Sequence, residues 1–218
     1  MAFYFRDIVA FQQTQQTNST DSENTMRFTL LLLVFFCSPL FAENFKSNAF
    51  TKDIVYSGAN TPNNPHKLDL YLTAQQKLPG AVLVWFHGGG LTSGSKDGAT
   101  DINIADFWRS KGINVITVNY QLAPAAKFPA YLQDAALAVA WVKNNAVKLH
   151  VDPSKIYVGG HSAGAWLATM LAMDEQYLRN NGIEPKSIAG FISLSGQMTT
   201  HFTVRKERGL NDLPVIVD

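Results

Sequence analysis

The stretch Gly160-His161-Ser162-Ala163-Gly164 places a serine at the centre of G-x-S-x-G, between the apolar run IYVG and the apolar helical pattern AGAWLATMLA. That context matters more than the five residues alone. A serine on a sharp strand-to-helix turn is lifted clear of the sheet, above the positive end of the following helix. Glycines two positions to either side are needed because side chains there would collide. The pattern predicts a nucleophilic serine, Ser162. A second chemistry-bearing stretch, His87-Gly88-Gly89-Gly90, follows the run AVLVWF directly. Successive glycines let backbone N–H groups approach a reacting carbonyl and hold its developing oxyanion, each donor contributing roughly 3 kcal/mol. Ala163 offers a further N–H from the helix start. HGGG lacks the lysine of a P-loop and the spacing of G-x-G-x-x-G, so a phosphate cradle is set aside.

Those stretches must be held by regular elements. AVLVWF (81–86), INVITVNY (113–120), KIYVGG (155–160) and IAGFISLSG (188–196) are near-continuous apolar runs, as in strands covered on both faces. KLDLYL (67–72) alternates at period two, as a half-buried strand does. Residues 129–149 have helical spacing, with apolar Leu132, Ala135, Ala136, Val139 and Val142, and Pro129 suits a first-turn position. Residues 163–178 read as a second helix. Strands alternating with helices predict an α/β fold: a mostly parallel sheet with helices on both faces.

With these stretches in place, a resemblance emerges. HGGG after a third strand, NYQLAP (119–124), FPAYLQDAALAVAWV (128–142) and GGHSAGAWLA (159–168) resemble the α/β-hydrolase superfamily. More narrowly, they are similar to its hormone-sensitive-lipase-like and feruloyl-esterase-like carboxylesterases, over about residues 50–200. The resemblance implies an α/β-hydrolase fold of about eight strands, carboxylic-ester hydrolysis, and neither metal nor organic cofactor. It carries the nucleophile to Ser162 and the oxyanion donors to Gly89, Gly90 and Ala163, with Gly88 the alternative to Gly90. His87 then orders the loop through hydrogen bonds rather than acting as base. Gln121 departs from the arginine that relatives often carry. GHSAGA is also similar to arylformamidases, so an N-formyl amide is the other scissile bond.

A serine nucleophile needs a base and an acid, which this superfamily places after it in the order Ser, Asp or Glu, His. The histidines present fit poorly. His66 and His150 precede the nucleophile, and His161 adjoins it on an elbow where neighbouring side chains diverge. His201 closely follows the sixth strand with no late acid to partner it, and Asp212 and Asp218 have no histidine after them. All of these read as surface or turn residues. The sequence predicts a sheet incomplete at the C-terminus, with the acid and histidine beyond residue 218 and the sheet edge and one side of the core left exposed.

The N-terminal part reads differently. Met26-Arg27 and the apolar run 28–42 have the form of a secretory signal with cleavage after Ala42. The run is too short for a stable membrane anchor. Residues 1–25, rich in Gln, Thr, Asn and Ser, read as a non-native or disordered extension, and residues 43–218 as the partial hydrolase domain. The lone cysteine, Cys37, falls inside the signal, so the mature chain holds no disulfide. A net charge of +1 gives no electrostatic reason to expect nucleic acid, and Arg205-Lys206-Glu207-Arg208 reads as a solvated turn. The sequence thus predicts a secreted or periplasmic serine hydrolase acting on small-molecule or carbohydrate esters. An inactive hydrolase-fold remnant is the alternative from a different class.

Overall fold

The computed structural model describes residues 50–73 and 79–210. The expected extension, the signal (26–42) and residues 211–218 lie outside them. Six strands form one sheet: β1 (Phe50–Val55), β2 (Lys67–Tyr71), β3 (Gly80–Phe86), β4 (Asn114–Val118), β5 (Val151–His161) and β6 (Gly190–Leu194). Their order is β1-β2-β4-β3-β5-β6. β4, β3, β5 and β6 run parallel, while β2 pairs antiparallel with both β1 and β4. This is the mostly parallel sheet expected.

Five α-helices flank the sheet among the described residues: α1 (Ala99–Ser110), α2 (Ala130–Asn145), α3 (Ala163–Met173), α4 (Gln176–Arg179) and α5 (Phe202–Glu207). The strand period of two sorts side chains between them. Val82, Val84 and Phe86 of β3 enter the large core under α2 and α3, whereas Leu83 and Trp85 face the smaller cluster under α1. Continuous apolar runs follow from this two-sided burial. β6 pairs with β5 alone among the described residues and is half-exposed, with Leu194 open to solvent.

Several elements differ from the sequence reading. The helix expected over 163–178 is two, because the backbone turns extended at Asp174, whose side chain then accepts from the Gln176 N–H. The helix expected over 129–149 stops at Asn145, and Pro129 caps it from outside rather than standing in its first turn. KLDLYL is buried on both faces, not one. Its Asp69 is fully buried, and Asp69 Oδ1 lies 2.9 Å from the Lys96 ammonium, which also stands 3.0 Å from Asp53. Burial works against the charged lysine, but Asp69 and Asp53 outweigh it and raise the Lys96 pKa. β1 and α1 were not anticipated. α1 buries only Asp101 and Ala105 fully, too little to write an apolar stripe.

The basic stretch 205–208 is not a solvated turn either. It closes α5, and Glu207 turns inward, where Oε2 accepts from the Phe128 N–H at 2.9 Å and the Tyr131 hydroxyl at 3.3 Å.

Candidate active site

The strand order reverses at β3. The chain passes to β4 on one side and to β5 on the other, which opens a crevice at the carboxyl ends of β3 and β5. The glycine loop leaves β3 at that end, and Ser162 leaves β5 there. Two segments far apart in sequence meet as a consequence of topology.

Ser162 has φ 53° and ψ −115°, a backbone region that L residues rarely adopt. The turn is possible because its flanking glycines touch backbone. A Cβ on Gly164 would lie 2.0 Å from the Phe86 carbonyl oxygen, and one on Gly160 would lie 2.4 Å from the Gly164 carbonyl carbon. The Ser162 N–H donates to Leu194 O at 2.9 Å, and its carbonyl accepts from the Trp166 N–H at 3.0 Å, opening α3. The Ala163 N–H stands in the first helical turn, where helix geometry leaves N–H groups without intrahelical partners.

The glycine loop is held by its carbonyls. In a trans peptide the C=O and the following N–H point in opposite directions, so tying one aims the other. The Tyr120 hydroxyl donates to His87 O at 2.8 Å, which fixes the peptide that carries the Gly88 N–H. His87 Nδ1 lies 2.6 Å from Gly88 O, fixing the peptide of the Gly89 N–H. Gly89 O accepts from the Thr92 and Ser93 N–H groups at 3.1 and 3.0 Å, fixing that of Gly90. Among the described residues, no hydrogen bond uses the N–H of Gly88, Gly89, Gly90 or Ala163. A Cβ on Gly88 would stand 3.4 Å from that of Ser162, so Gly88 packs directly against the serine.

His87 serves this loop. It is buried and stacked on Tyr120, with ring centroids 4.4 Å apart. Because a carbonyl only accepts, Nδ1 carries the proton. Burial pushes the imidazole pKa below its ordinary value, against the opposing pull of the Gly88 carbonyl. Burial also pushes the Tyr120 phenol far up, which keeps it a donor.

The remaining histidines are elsewhere or committed. His150 is exposed at the start of β5, at the opposite end of the strand from Ser162. His66 Nε2 lies 3.0 Å from Asp134 Oδ1, and Asp134 also accepts from the Gln121 N–H and side-chain amide. His161 is exposed, with Nδ1 3.1 Å from where a Gly88 Cβ would stand. His201, expected at the surface, is buried. Its Nδ1 accepts from the Thr203 N–H at 3.2 Å as the cap of α5, and desolvation pushes its pKa down to about 4. Among the described residues, no histidine or carboxylate hydrogen-bonds to the Ser162 hydroxyl, and no cluster of three or more His, Cys, Asp or Glu could hold a metal ion.

Three participants had no readable signal on their own. Tyr120 is one aromatic among seven tyrosines. Gly94 looks like a loop glycine, yet a Cβ there would meet Gly88 O and His87 Nδ1 at 2.4 Å. Thr203 lies far downstream, and its hydroxyl donates to Gly90 O at 2.5 Å.

An elbow serine after β5 and a backbone-donor loop after β3, on this strand order, define an α/β-hydrolase fold. Residues 68–204 match the BD-FAE family model, and the chain belongs to that family. It is 38% identical over 91 residues to carboxylesterase NlhH of Mycobacterium tuberculosis, covering 42% of this chain and 28% of that protein. Over 95 residues it is 40% identical to an ethyl acetate hydrolase of Pseudomonas putida, covering 44% and 30%. Among solved structures, an esterase from Pyrobaculum calidifontis superposes with TM-score 0.57 at 29% identity, covering 71% of this chain and 47% of that one. A truncated form of a carbohydrate esterase from gut microbiota gives TM-score 0.52 at 26% identity, covering 60% and 45%. The chain thus aligns with under a third of the length of those curated relatives.

Proposed function

We propose that Ser162 is the nucleophile of a serine hydrolase that cleaves carboxylic esters through an acyl-enzyme. The observation that carries this is the strained Ser162 turn packed against a glycine loop whose carbonyls are tied and whose N–H groups are left for a ligand. Ser162 Oγ attacks the ester carbonyl carbon, and its proton passes to a histidine base that the described residues do not supply. The carbonyl π bond opens to an oxyanion, received by the N–H groups of Gly89 and Ala163 with Gly88 or Gly90 as the third donor. As the carbonyl reforms, the C–O bond to the alcohol breaks and the alcohol leaves with the proton. Water then attacks the acyl-enzyme by the same route, releasing the acid and restoring Ser162.

The carboxylesterase and ethyl acetate hydrolase relatives support an ester over a formamide. The carbohydrate esterase neighbour supports acylated polysaccharide as one substrate class. Export to the periplasm or medium belongs to the same proposal and rests on the apolar run 28–42. N-terminal sequencing of the exported protein, expected to begin after Ala42, tests that part.

A fluorophosphonate probe tests the chemistry. With the acid and histidine of the triad present, it is expected to label the protein, together with p-nitrophenyl acetate turnover, and Ser162→Ala is expected to abolish both. A folded protein that carries them and neither reacts with the probe nor turns over the ester would overturn the proposal.

A further inference from the structure

We infer that Thr203 is a positioning residue for the oxyanion loop, with α5 acting as a strap that holds the loop from outside. The inference rests on the site proposed above. The carbonyls of His87, Gly88 and Gly89 are tied by groups within the loop or just after β4. The fourth, Gly90 O, is tied by the Thr203 hydroxyl, 113 residues away, at 2.5 Å. Gly90 and Leu91 are consecutive left-handed residues, at φ 65° and 62°. Gly90 adopts it freely, but Leu91 does not, and a non-glycine residue there persists only where its surroundings hold it. The Leu91 carbonyl is bound by the Ala123 N–H at 2.8 Å, and the Gly90 carbonyl, in the peptide that enters Leu91, is bound by Thr203.

The strap is itself anchored. The Trp166 indole N–H donates to Thr199 O at 3.0 Å, and the His201 ring lies 5.5 Å from that of Trp166. His201 caps the turn that carries Thr203, and Glu207 fastens the far end of α5 to Phe128 and Tyr131. The Phe202 ring closes over the loop, its Cζ 2.9 Å from where a Gly90 Cβ would stand. Each anchor lies on α3 or at the start of α2, so the same helix that begins at Ser162 also sets the position of the strap. Nucleophile and oxyanion loop are thereby held in one register from two directions.

The test compares Thr203→Val, which removes the hydroxyl at constant shape, with Thr203→Ser, which keeps it. Hydrogen exchange at the Thr92, Ser93 and Ala123 amides reads loop opening, and the rate of fluorophosphonate labelling reads the site. In Thr203→Val those amides are expected to exchange about fivefold faster, with labelling slowed by a similar factor. Amides of β3 and β4 should stay unchanged, and Thr203→Ser should stay within about twofold of wild type. Thr203→Ala serves in the same way should the valine disturb folding. Unchanged exchange at the loop amides in the hydroxyl-less variants would overturn the strap, whatever the labelling shows. Faster exchange in a protein whose Ser162 the probe never labels would sustain the strap and remove the hydrolase reading.

Discussion

At the scale of single residues, the tightest constraint is on Gly160 and Gly164 rather than on Ser162. Oversized groups at most surface turns are absorbed by movement of a flexible side chain. Here a Cβ at position 164 would lie 2.0 Å from Phe86 O and 2.6 Å from His87 O, backbone atoms of β3 and of the glycine loop itself. The strand and helix cannot separate without disturbing both halves of the site. Gly164→Ala is therefore expected to destabilise the protein by about 3 kcal/mol and to slow labelling of whatever folds. Urea unfolding measures the first, and a midpoint within error of wild type would contradict it. The G-x-S-x-G pattern announced these glycines, but only the packing shows that their partners are Phe86 and His87.

At the scale of elements, two devices fasten the site to the scaffold. One is Lys96, which follows the glycine loop and draws together Asp53 of β1 and Asp69 of β2. Lys96→Met would leave the Asp69 carboxylate buried without its counter-ion, at a cost of about 3–5 kcal/mol. Denaturant titration checks it, and Lys96→Met with Asp69→Asn should recover part of the loss. The other device is the His201 cap of α5. Its pKa is lowered to about 4 by burial, so between about 6.5 and 4 the unfolded chain binds the extra proton and the folded chain does not. Stability should therefore fall as pH falls through that window. His87, also lowered by burial, acts in the same direction. His201→Asn keeps an acceptor and removes the titration, so melting temperatures recorded across the window should show a shallower slope. An identical slope would mean that other groups set the acid response.

At the scale of the whole molecule, protection should follow the sheet order. β3 and β4 are buried on both faces, whereas β1 is exposed along much of its length and β6 is half-exposed. Native-state hydrogen exchange is expected to be slowest in β3 and β4 and fastest in β1 and β6. β6 amides as slow as those of β3 would show that something covers this edge in solution.

How much of this was legible follows from where each signal resides. The elbow and the glycine loop are local: their residues are contiguous, and the chemistry demands those types at that spacing. β3 and β4 were also legible, because two-sided burial forces continuous apolar runs; β5 and β6 carried apolar runs of the same kind although both are exposed in part, and the length of α2 kept its period readable. The sequence by itself therefore determined the α/β class, the position of Ser162 and the candidate donors. Contacts between distant segments leave no periodic trace, and these only the tertiary structure decided. It set Lys96 against Asp69, buried His201 as a cap, turned Glu207 inward and brought Thr203 to Gly90 O. It also decided which way the glycine loop faces, because peptide orientation depends on what binds each carbonyl, and neither Tyr120 nor Thr203 shows in its local sequence which carbonyl it will bind.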